Sequence, residues 1–144
     1  MNELLREAKR VYLDTNCIIY FVEQADERKQ KISDLIAHAI KSGIDIVCSE
    51  IGVAECFYGA YKLGNLTREA YYSKIFYEIS LFKLCPVNGE ALMRAAKLGA
   101  ENNLKLVDAV HFLAATEHKC DLFVTNDTRF KSSHSVHVIQ LSDL

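Results

Sequence analysis

Short apolar runs alternate along this chain with longer stretches whose apolar positions recur every three or four residues. The short runs are Val11–Leu13, "IDIVCS" at 44–49, "LFKLCPV" at 81–87, "DLFVTN" at 121–126 and "SVHVIQL" at 135–141. They predict five strands. In "ERKQKISDLIAHAIKSG", Ile32, Leu35, Ile36, Ala39 and Ile40 fall on one helical face, and Gly43 ends it. Helices are likewise predicted from the end of strand one to about Val22, over "EIGVAECFYGAYKLG", from Thr67 to about Ser80, over "NGEALMRAAKLGAEN" and over "LVDAVHFLAATEHK". Ser49 is placed to cap the helix after strand two, without a full capping box, because Gly52 holds the third helical position. Residues 1–10 read as a short amphipathic helix with Leu4, Leu5 and Ala8 on one side. Strands alternating with helices predict an α/β fold, with a mostly parallel sheet covered on both faces.

Three of the predicted strands end polar: Leu13 gives way to Asp14, Cys48 to Ser49, and Val124 to Thr125, Asn126 and Asp127. Open parallel sheets bind ligands at the carboxyl ends of their strands, so Asp14 and Asp127 are expected on the active edge. Each acid also has an ordinary reading. Asp14 suits a helix N-cap, Asp127 in "TNDTRF" suits an Asx-turn, and Asp108 lies near a helix start. Glu55 is the least ordinary. Its helical neighbours Ile51, Gly52, Tyr58 and Gly59 carry no charge, so a buried Glu55 needs a partner from elsewhere. His111, one turn beyond Asp108, reads as a core or supporting histidine rather than a metal ligand.

Were the four acids to converge, they would repel. Two charges 4 Å apart cost about 4 kcal/mol at an effective dielectric near 20. Hard oxygen donors without thiolates or paired histidines suit Mg²⁺ or Mn²⁺, ions that commonly serve phosphoryl chemistry.

Composition narrows the field further. The chain has 144 residues, 50% apolar and 25% charged, which suits one folded domain over 1–144 rather than disorder. A net charge of −2 carries no bulk basicity toward nucleic acid. Five scattered cysteines without a C-x-x-C pair argue against zinc and for free buried thiols in a reducing compartment. "MNELLREAKR" lacks the apolar core of a signal peptide, and no run approaches the ~18 apolar residues of a membrane span, so a cytoplasmic protein without membrane contact is expected.

Taken in order, "LDTN", "SEIGVAE", "LKLVDAVHFLAA" and "TNDTRF" resemble the motifs of the PIN-domain nucleases over about residues 11–140, and most of all the toxins of VapBC-type toxin–antitoxin pairs. The resemblance implies a PIN-like three-layer sandwich and a metal-dependent endoribonuclease. It makes Asp14, Glu55 and Asp108 the core metal ligands, completed by Asp127. Asn16 and Thr125 would support them by hydrogen bonding, with Asn126 beside them. No covalent nucleophile is implied; metal-bound water attacks the phosphodiester. A homodimer is implied, as is a small antitoxin crossing the active groove. Two divalent ions would turn the net charge from −2 to about +2. Arg28, Lys29 and Lys31, or Arg129 and Lys131, are then rim contacts for RNA or ordinary solvated faces. The ten residues before strand one depart from the family pattern. Three other readings compete, of which a structure-specific DNA nuclease is disfavoured by a chain of 144 residues without evident room for a clamp or DNA-binding insert. A haloacid-dehalogenase-type phosphatase with Asp14 as nucleophile lacks its second acid, because Asn16 stands there. A PIN-like module that binds or assembles without turnover is opposed by the intact acids.

Overall fold

The computed structural model describes residues 3–133 and 135–144. Its centre is a sheet of five parallel strands in the order β3-β2-β1-β4-β5. The strands are β1 (Arg10–Leu13), β2 (Asp45–Ser49), β3 (Lys83–Cys85), β4 (Leu122–Thr125) and β5 (His137–Gln140). Seven α-helices connect or precede them among the described residues: α1 (Glu3–Glu7), α2 (Thr15–Glu23), α3 (Glu27–Ser42), α4 (Glu50–Lys62), α5 (Leu66–Ser73), α6 (Gly89–Asn102) and α7 (Leu106–Glu117).

The period-two alternation of β1 separates the two apolar layers. Val11 and Leu13 pack with Ile18, Ile32, Leu35, Val53 and Tyr72, on the side of α2, α3, α4 and α5. Tyr12, Val47 and Phe123 pack on the opposite side with Phe112 and Ala115 of α7 and with Phe130. Both faces of β1 are therefore covered, which explains why its residues read as a continuous apolar run.

Strand order fixes where a site can form. From β1 the chain builds outward to β2 and β3, then returns to lay β4 on the other side of β1. Val11, Tyr12 and Leu13 pair with Leu122, Phe123 and Val124. Beyond that register the two chains part in opposite directions. This is the topological switch at which α/β sheets open a crevice. Asp14 is the first residue past β1, and its backbone N–H still reaches the Val124 carbonyl at 3.0 Å.

Several predicted boundaries shift for local reasons. The helix expected from Thr67 begins at Leu66, because Asn65 is the cap and its side chain accepts from the Arg68 N–H at 3.1 Å. α5 then widens into a π-helical turn over Lys74–Glu78, ending before Ser80. The N-terminal helix covers only Glu3–Glu7; Leu5 and Ala8 are buried while Leu4 faces outward, and Met1 and Asn2 lie outside the described residues. All five cysteines are buried and unpaired. Burial pushes every thiol up, Cys85 to about 11 and Cys120 to about 12, so none is a nucleophile. Among the described residues, no helix is long and apolar enough to cross a membrane.

Candidate active site

Asp14 is fixed from several directions. It caps α2, accepting from the Thr15 N–H at 2.9 Å. Its other oxygen accepts from the Thr125 hydroxyl at 2.7 Å and the Asn16 amide at 3.2 Å. Only 5% of the residue is exposed. Desolvation by this burial raises its pKa, against the lowering influence of His111, Thr125 and Thr15; the like charge of Asp108 raises it further. The capping reading thus holds, and the same carboxylate also ties the end of β1 to Thr125 at the end of β4.

Glu55 projects from α4 onto the same crevice and finds the distant partner its helix denies it. The Thr15 hydroxyl donates to it at 2.8 Å, and His111 Nε2 lies 2.6 Å away. Half-burial pushes its pKa up, but the His111 and Thr15 contacts outweigh this and hold it below the usual carboxylate range.

His111 is the hub of this half. It is 1% exposed. Its Nδ1 sits 2.6 Å from the Tyr12 hydroxyl, and its Nε2 also approaches Thr15 Oγ1 at 3.1 Å and Asp14 at 3.9 Å. The Tyr12 oxygen already accepts from the Ser49 N–H at 3.2 Å. With its proton donated to Nδ1, and Nε2–H directed at Glu55 and Thr15, the donors of Tyr12, Thr15 and His111 all find acceptors. Gly52 makes room for this packing. A Cβ there would stand 2.7 Å from Cys48 Sγ and 3.3 Å from both His111 Cε1 and Thr15 Oγ1. The missing capping-box residue after Ser49 thus has a steric cause.

Asp108 and Asp127 form the second half, and Arg129 binds both. Its guanidinium donates to the two Asp127 oxygens at 3.0 and 3.1 Å through Nε, and to Asp108 at 3.1 Å through Nη2, which also contacts Asp127. The Asp127 side chain accepts from the Arg129 N–H at 2.9 Å, an Asx-turn. These Arg129 contacts hold Asp127 below the usual carboxylate range. Thr125 joins the halves: its hydroxyl donates to Asp14 and accepts from the Asp127 N–H at 3.0 Å. Asn16 accepts from the Asn126 N–H at 3.3 Å, and the Asn126 amide donates to Tyr20.

The structure therefore brings the seven expected residues to one edge, as two linked groups. Among the described residues, no three His, Cys, Asp or Glu side chains form a group able to hold a metal ion. Glu55 is drawn to His111 and Thr15, while Asp108 and Asp127 close on Arg129. The donor chemistry still fits a hard divalent ion. The oxygens are carboxylates, and a cation already bridges two of the acids. Arg129, expected as an RNA rim contact or an ordinary solvated face, is neither alone; nothing in "TNDTRF" announces its reach to Asp108, which depends on where α7 lies. Arg28 pairs with Asp26 and lies over Tyr20, and Lys31 donates to the Leu141 and Ser142 carbonyls, so neither stands as a free basic rim.

Two openings flank the crevice. One, of about 400 Å³, is lined by Thr15, Ile19, Ala54, Glu55 and Tyr58. The other, of about 220 Å³, lies beside Arg129, with Leu98, Phe112 and Phe130 among its walls.

The sequence model of the PIN domain matches residues 11–133. Comparison with the curated proteins found no match. Several solved structures are similar in fold. FitAcB from Neisseria gonorrhoeae superposes with a TM-score of 0.68 at 20% identity, covering 93% of this chain and 99% of that one. VapBC2 from Rickettsia felis, bound to a DNA fragment from its promoter, gives 0.65 at 20% identity over 91% and 98%. VapC20 from Mycobacterium tuberculosis, a sarcin–ricin-loop-cleaving toxin, gives 0.64 at 14% identity over 78% and 86%.

Proposed function

Because the chain belongs to the PIN domain family, we propose that it is a Mg²⁺- or Mn²⁺-dependent endoribonuclease, acting as the toxin of a toxin–antitoxin pair. The observation that carries this reading is the delivery of Asp14, Glu55, Asp108 and Asp127 from four separate segments to the switch point of a parallel sheet, with Asp14 held in near-complete burial by three hydrogen bonds. A capping residue alone does not require that company.

Asp14, Asp108 and Asp127 would hold the divalent ion, with Glu55 at its edge, and the ion would supply activation of water and stabilisation of the leaving oxygen. The chain's own part is to place these oxygens. Thr15, Thr125 and Asn16 fix the Asp14 rotamer, and His111, locked by Tyr12, fixes Glu55. Neither hydroxyl beside His111 is set up as a covalent nucleophile: Thr15 donates to Glu55, and Tyr12 is buried between His111 and the Ser49 N–H. The similar fold of VapC20, a sarcin–ricin-loop-cleaving toxin, supports RNA as substrate, and that of a toxin–antitoxin complex from Klebsiella pneumoniae supports an antitoxin as partner. A homodimer, a cytoplasmic location and a single domain over 1–144 belong to the same proposal.

The test is cleavage of structured and unstructured RNA by purified protein, with Asp14→Asn and Asp108→Asn alongside. Cleavage should vanish in both variants and in EDTA, and return with Mg²⁺ or Mn²⁺. Activity that survives chelation overturns the mechanism. One observation favours the second reading, a binding module without turnover: Arg129 neutralises Asp108 and Asp127. Metal-independent RNA binding without cleavage at any ion concentration would establish that alternative.

A further inference from the structure

We infer that Arg129 is the site's internal counter-cation: it competes with the divalent ion for Asp108 and Asp127 and is displaced as the ion loads. This rests on the metal-site reading above, and its basis is geometric.

The guanidinium spans the two carboxylates, which come from α7 and from the loop after β4. It is the one cationic side chain seen bonded to either acid among the described residues. Its own side chain is 54% exposed, so it returns to water readily, while Asp108 and Asp127, 21% and 19% exposed, pass to the ion as their counter-charge. Nor does departure unseat Asp127. The Arg129 N–H and the Thr125 hydroxyl hold that turn through backbone contacts, which the guanidinium does not share. The next residue, Phe130, is 3% exposed and packs on Phe112 and Phe123, which pins the backbone so that only the side chain need swing. Space for the swing exists, since Arg129 also lines the 220 Å³ cavity. Arg129 engages both oxygens of Asp127 and one of Asp108, and a divalent ion on the same carboxylates repels the guanidinium, so loading the ion disfavours the bridged state. A structural role confined to holding Asp127 would need neither the second contact to Asp108 nor the open flank.

Mn²⁺ binding by isothermal titration calorimetry tests this with wild type, Arg129→Gln and Lys131→Gln. The last removes the same charge from a side chain that touches neither acid: Lys131 Nζ donates to the Thr128 carbonyl. Circular dichroism verifies that each variant is folded. Loss of an exposed competing ion pair should tighten Mn²⁺ roughly fivefold in Arg129→Gln, with Lys131→Gln within about twofold of wild type. Binding seen only in Arg129→Gln supports the inference equally. Unchanged or weaker binding in Arg129→Gln, or an equal gain in Lys131→Gln, overturns it and leaves the metal-site reading standing. Folded protein that binds no Mn²⁺ in any of the three overturns both.

Discussion

The two halves of the acidic crevice are held by different physics. Around Asp14 and Glu55 the contacts are buried hydrogen bonds: Tyr12, Thr15, Thr125 and His111 are all nearly inaccessible, and each has its partners in the protein. Around Asp108 and Asp127 the contact is an ion pair with a half-exposed arginine. The first arrangement is expensive to disturb, because an unsatisfied buried group costs about 1–3 kcal/mol. The second is exchangeable, because exposed ion pairs contribute about 0–1 kcal/mol. A site that must keep a rigid floor and still admit a cation needs both.

The comparison breaks most severely at Asp14. Asp14→Asn keeps the shape of the cap but removes the charge, and RNA cleavage should fall by on the order of a hundredfold or more, beyond the usual loss from a supporting residue. Its stability signature is distinct from that loss. Burial raises Asp14 in the folded state, so folding favours its protonated form. That contribution is complete below the unfolded value near ~3.9 and is lost as pH rises through the raised folded value. Glu55 and Asp127, held low, act with the opposite sign, so the readout is the difference: in EDTA the melting temperature of wild type relative to Asp14→Asn should fall across that window.

His111→Ala comes next. It strands the Tyr12 hydroxyl, empties a buried volume and releases Glu55, for a loss of about 2–4 kcal/mol by urea unfolding. Gly52→Ala should cost about 1–3 kcal/mol through the clash with Cys48 and the crowding of His111 and Thr15. The smallest effect belongs to the open half: Arg129→Ala should leave the urea midpoint close to that of wild type. If Arg129→Ala proves as damaging as His111→Ala, the halves are not different in kind.

Much of this architecture could be read from the chain before any coordinates. The apolar runs marked the strands because β1, β2 and β4 are covered on both faces, and the polar residues that end them mark the crevice. Asp14 and Asp127 were visible for that reason. Glu55 was visible by default, as an acid whose helical neighbours offer it nothing. The pairing within the site was not visible. His111 meets Tyr12 across 99 positions and Glu55 across 56, and Arg129 meets Asp108 across 21. Those contacts are set by strand register and by how α7 lies on the sheet, neither of which helical spacing encodes. The π-helical turn after α5 was hidden too, since the local pattern there reads as continuous helix.

The central claim is that the four acids make one cation site at the switch point. Anomalous diffraction from crystals soaked in Mn²⁺ tests it most directly. The account predicts a peak in contact with Asp14 and Asp108, with the Arg129 guanidinium turned away from Asp127. A saturated crystal with no peak in the crevice, and Arg129 still bridging Asp108 and Asp127, would contradict it.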